Sequence, residues 1–133
     1  MTTALEYRQA LLTVRDLPET SHAAWDVWVR LLTTQYGMPG HTATAAQLAT
    51  GAGLKTANLA TLNYRKLAHA VADQLGHIPP ESQLGKREPM WWMTLSSGNL
   101  EDDRAESARL TMHPALAEAL DLMRWVQPQA STT

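Results

Sequence analysis

Cysteine is missing from this chain altogether, which removes disulfides, thiolate metal sites and thiol nucleophiles and suits a reducing compartment. Phenylalanine is missing too, so the aromatic share of any core falls to five tryptophans and three tyrosines. No segment approaches the roughly 18 uninterrupted apolar residues that a membrane span requires. The opening stretch, MTTALEYRQALL, carries charges inside its apolar positions, unlike a secretory leader. A cytoplasmic protein without membrane association is the expectation. Charge of one sign is also in short supply. The formal net charge is −2 and the isoelectric point is near 6.2, which counts against an extended basic surface.

The catalytic signatures are equally sparse. The five histidines, at 22, 41, 69, 77 and 113, show no HExxH spacing, so no metal site is expected. Ser96 and Ser97 lack the GxSxG surround of a nucleophile elbow, and neither GxGxxG nor GxxxxGK[ST] occurs. Glu101, Asp102 and Asp103 form an acidic run beside Gly98 and Asn99, and carboxylates in such a setting read as solvent-facing charge rather than a cation site. No cofactor and no enzymatic activity are expected.

What is present is helical periodicity. With 44% apolar residues in 133, one core of ordinary size can form. Tyr7, Ala10, Leu11, Val14 and Leu17 mark a first helix stopped by Pro18. Ser21 caps a second, in which Trp25, Trp28, Val29, Leu32 and Tyr36 share a face before Gly37 and Pro39. The segment from Thr42 to Gly51 reads as a short capped helix, broken by Gly51 and Gly53. From Thr56 to Leu75 a longer helix places Ala60, Tyr64, Leu67, Val71 and Leu75 on one face, and Asn58, Leu62, Arg65, Lys66, His69 and Asp73 on the other.

Residues 76–89, with three prolines and two glycines, read as a connector. Met90 to Leu95 reads as a strand with Trp91, Met93 and Leu95 on one side and Trp92 on the other. Ala108, Leu110 and Met112 alternate as a second strand, and Ser96 to Ser107 joins the two as a long hairpin. Pro114 opens a closing helix that buries Leu116, Leu120 and Met123. The tryptophan pairs at 25/28 and 91/92 read as core, with the outward member of the second pair left for a partner contact.

A short helix, a glycine-containing turn and a longer helix with a basic outer face form a helix-turn-helix candidate. Between Lys55 and His69 there are three cations and no acid. Asn58, Arg65 and His69 are candidates for base edges, Lys55 and Lys66 for the phosphate backbone, and Lys86 and Arg87 for flanking phosphates. Spacing alone leaves open the alternative that this is an ordinary solvated helix face.

The runs HTATAAQLATGAGLKTANLATLNYRKLAHAVADQLG, MWWMTLSSG and RLTMHPALAEAL together resemble the winged-helix-like module of bacterial restriction-type proteins, where it accompanies an HNH nuclease domain. The resemblance spans about residues 41–125. That module's helix reads approximately Asn-Leu-x-Tyr-Gly-Lys-Leu, and Leu62, Tyr64, Lys66 and Leu67 match it. Thr61 stands in place of the Asn and Arg65 in place of the Gly, so target specificity does not carry over. No HNH motif occurs in the chain, and the resemblance implies no nuclease activity.

The resulting expectation is a mainly α fold, a winged helix-turn-helix with a two-stranded β wing and an additional N-terminal helical hairpin. Residues 1–40 form the hairpin, which packs on the domain or dimerises it. Residues 41–126 form the winged-helix domain, and 127–133 a flexible tail. The expected role is a double-stranded DNA-binding regulator or target-recognition module, as a monomer or homodimer. The alternative is a protein-interaction module or inhibitor of a defence system, favoured by the net acidity.

Overall fold

The computed structural model describes residues 2–81, 89–98 and 109–125. Among these residues the fold is mainly helical, with five α-helices and a small antiparallel sheet. Helix α1 (Ala4–Arg15) begins at a capping box in which Thr3 Oγ1 accepts from the Glu6 amide and Glu6 accepts from the Thr3 amide. Helix α2 (His22–Gly37) begins at Ser21, whose hydroxyl accepts from the Ala24 amide. The two helices make their main contacts elsewhere rather than with each other: α1 lies on α5 (Pro114–Leu122) and α4 (Ala57–Leu75), and α2 on α3 (Ala45–Ala52) and α4. Both are built into the core of the later elements. Tyr7, Leu11 and Val14 of α1 and Trp28, Leu31 and Leu32 of α2 belong to the same core as the later elements. Of the large hydrophobic residues on these two helices, Leu5 is the one left exposed.

The segment expected as one helix from Thr42 divides in two. Thr42–Thr44 is a strand, β1, and α3 starts only after it. Thr44 is the true N-cap, in a capping box with Gln47. Gly51 does not break this helix. It lies inside α3 because a Cβ at position 51 falls 2.8 Å from Thr34 Cβ of α2, and closer still to that threonine's methyl and hydroxyl. The stop comes at Gly53 (φ +73°), whose left-handed conformation ends the helix without the penalty a Cβ brings.

Met90 to Leu95 is not a strand. Trp91–Thr94 is a single turn of 3-10 helix, held by the Met93 amide on the Met90 carbonyl and the Leu95 amide on the Trp92 carbonyl. A three-residue period brings Trp92 and Leu95 to the same side, and both are buried, whereas alternation places them on opposite sides. Strand β2 lies instead at Ser96–Gly98, inside the stretch expected as the connecting loop, and it pairs antiparallel with β3 (Arg109–Met112). Strand β1 adds a third member, giving the order β1-β3-β2 in place of a two-stranded unit. The hairpin tip with the acidic run, and the segment after Trp125, lie outside the described residues.

At the centre of the fold, polar groups meet in an apolar core. Gln35 of α2 donates through Nε2 to Ser96 Oγ (2.9 Å) and to the Leu110 carbonyl (3.1 Å). Its Oε1 accepts from the Tyr64 hydroxyl of α4 (2.8 Å), which also contacts Ser96 Oγ. Gln35, Tyr64 and Ser96 are fully buried. An amide with both ends satisfied is tolerated in a core, and one that loses a partner is costly. Gln35→Leu is therefore expected to destabilise the fold by about 2–3 kcal/mol and Tyr64→Phe by about 1–2 kcal/mol. In the double variant the losses should total less than their sum in urea denaturation, and strict additivity would show the groups to be uncoupled.

Candidate nucleic-acid interface

Two helices and a short turn set the geometry. Where α3 ends, the Gly53 amide bonds to the Ala49 and Thr50 carbonyls, and the Leu54 amide returns to Ala49 (2.8 Å). Leu54 packs against the core, and Thr56 then caps α4 by accepting from the Leu59 amide (3.1 Å). Only four residues separate the helices, and α3 packs directly on α4. Helix α4 runs 19 residues to Gly76 (φ +68°). Its inner face buries Ala60, Tyr64, Leu67, Ala68, Val71 and Ala72 against α1, α2, α3 and the Trp91–Thr94 turn.

The outer residues form the face expected from periodicity. Asn58, Leu62, Arg65, Lys66, His69 and Asp73 are all exposed, with Lys55 just ahead of the cap. Leu59 joins them, at 40% exposure against 48% for Leu62. Asn63, nearer the flank, donates its amide to the Leu59 carbonyl of its own helix (2.9 Å). The Asn58 side chain makes no hydrogen bond among the described residues. Lys86 and Arg87 lie outside the described residues.

His69 differs from its neighbours. Its ring stacks on Trp91 with centroids 3.9 Å apart and planes 9° from parallel. Its Nε2 lies 3.6 Å from Asp73 one turn on. The imidazole thus joins α4 to the 3-10 turn and has less freedom than a side chain standing in solvent. Trp92 is the inward tryptophan of the pair and Trp91 the half-exposed one, with one face taken by His69. Sequence reasoning missed this stack because 22 positions separate the rings.

A cleft of about 690 Å³ opens between the start of α1, the end of α4, the 3-10 turn and the start of α5. Glu6, Tyr7, His77, Thr94 and His113 contribute its polar groups. Several of those groups already have structural tasks: the Tyr7 hydroxyl donates to the Thr94 carbonyl (2.6 Å), and His113 Nε2 lies 2.7 Å from the Met93 carbonyl. Glu6 is held by Thr3, whose backbone and side-chain hydrogen bonds keep its carboxyl below the usual range. No three His, Asp or Glu side chains among the described residues come together as a metal site. No helix among those residues is long and apolar enough to cross a membrane.

Comparison with protein-family models, curated proteins and solved structures finds no match to this chain.

Burial pushes the Tyr7 phenol up to about 12, while in the unfolded chain it returns to about 10. The fold favours the neutral phenol, so its contribution is complete below pH 10 and fades as pH rises from there toward 12. The urea midpoint is expected to stay level on the neutral side and fall across that window. Tyr7→Phe should reduce the alkaline slope; an unchanged slope would place the phenol in water.

Proposed function

We propose that this chain binds double-stranded DNA by laying the outer face of α4 in the major groove, and that it acts as a regulator or target-recognition module rather than an enzyme. The observation that carries this reading is the exposed face itself: Lys55, Asn58, Arg65 and Lys66 stand out from the fold, and the first acid along the helix is Asp73. A helix fits the major groove of B-DNA, and lysine and arginine displace condensed counterions from phosphates.

The element order supports it. Helix α2, strand β1, helices α3 and α4, and the hairpin β2–β3 follow one another as in a winged helix-turn-helix, with α3 crossing ahead of a recognition helix α4 and the hairpin as the wing. In this reading α1 braces the far side of α4, and α5 packs on α1 behind it. Asn58 is the leading candidate for a base edge, because it lies in the first turn of α4 and its amide has no task within the described residues. His69 serves more as a brace, given its stack on Trp91.

A protein-interaction module is the second reading. The net charge of −2 favours it by counting against a polyanionic partner, and the two exposed leucines on α4 suit a protein surface with an apolar centre.

Fluorescence anisotropy with mixed-sequence duplex DNA over a salt series separates the two. The DNA reading expects steep salt dependence, and in Lys55→Gln plus Lys66→Gln weaker binding with a log–log slope shallower by about two. Absence of binding at low salt would overturn it in favour of a protein partner.

A further inference from the structure

Leu62 occupies an unusual place on α4. At 3.6 residues per turn, Asn58, Leu59, Leu62, Arg65, Lys66 and His69 fall within an arc of about 120°, and Leu62 lies at its middle. Asn58 and Lys66 stand one turn to either side, and Leu59 and Arg65 flank it at three residues. The leucine is nonetheless 48% exposed, and Leu59 beside it is 40% exposed. The other neighbours are polar or positively charged, and Asp73 lies eleven residues on, about 16 Å along the axis. The core does not need this side chain: the opposite face of α4 already supplies Tyr64, Leu67 and Val71 to it.

An apolar pair, Leu59 and Leu62, with Arg65 and Lys66 on its C-terminal side fits an occupant that offers an apolar group beside anionic ones. The major groove at a thymine answers that description. The thymine 5-methyl projects from the groove floor, the phosphates line both walls, and apolar side chains contact that methyl directly. Leu62 is also the sixth residue of α4, in the N-terminal part that recognition helices bring to base edges. Resting on the DNA reading above, we propose that Leu62 reads a thymine methyl, with Leu59 closing the apolar contact and Asn58 placed for the adjoining base pair. The site is thus selective for thymine against uracil or cytosine at that position.

The test begins with the tightest-binding duplex selected from a random pool, made once with thymine and once with uracil in its place. Uracil leaves the hydrogen-bonding edge unchanged and removes only the methyl. The wild-type chain should bind the uracil duplex about fourfold more weakly for each thymine methyl that Leu62 touches. Leu62→Ala should bind both duplexes equally. Alanine suits an exposed helical position, so this variant keeps the fold, and thermal unfolding confirms it.

Equal wild-type affinity for the two duplexes, or a selected site without thymine, would overturn the methyl contact and leave DNA binding intact. Discrimination that persists in Leu62→Ala and vanishes in Leu59→Ala would overturn the assignment to Leu62. Failure to select any duplex would overturn both the methyl contact and the DNA reading.

Discussion

One buried amide constrains the rest of this molecule. Gln35 sits on α2, yet its partners lie on α4, at the start of β2 and on the backbone of β3. Hydrogen bonds are directional, so satisfying all of them allows one mutual placement of two helices and a hairpin. Apolar packing alone tolerates small slides and rotations that leave the buried area unchanged. Because Tyr64 is drawn inward to meet the amide, the residues on the opposite side of α4 turn outward. The exposure of Asn58, Leu62 and Lys66 is thus the outer consequence of a contact at the centre of the core.

The same network marks the limit of what the sequence could reveal. Helices α1, α4 and α5 are legible because their apolar residues recur at three and four positions and because Pro18, Thr56 and Pro114 punctuate them. In α2 the spacing finds Trp28, Leu32 and Tyr36, which are buried, but it also takes in Trp25 and Val29, which are only partly buried, and misses Leu31 and Gln35. A glutamine in an apolar stripe carries no local sign that it is inside; its burial depends on residues 29 and 61 positions away. Strand β1 escapes notice for a different reason. Three residues do not establish a period of two, and the alanines that follow look helical. The bulky run at Met90 to Leu95 matches a strand in composition, whereas tertiary packing of Trp92 with Leu95 favours a tighter coil.

The candidate interface is more legible than the fold around it. Periodicity on α4 separates inner from outer positions with few assumptions, and every outer residue that it names is exposed. What periodicity does not convey is occupancy. The stack of His69 on Trp91 and the capture of the Asn63 amide by the Leu59 carbonyl both depend on three-dimensional placement, and they divide one apparently uniform face into committed and uncommitted side chains. Gly51 shows a related ambiguity. Glycine reads as a break, but in α3 it marks close approach of a second helix.

That approach also bears on how this chain can vary. The backbones of α2 and α3 come so near at Thr34 and Gly51 that a methyl at one site and a branched side chain at the other do not fit the same structure. The two positions form a single unit of inheritance: a descendant that gains a side chain at 51 must give up volume at 34 or move an entire helix. Because α3 leads directly into the turn before α4, the second route displaces the proposed recognition surface. Drift at a pair of small, unremarkable residues is therefore tied to whatever the far side of α4 is selected to recognise.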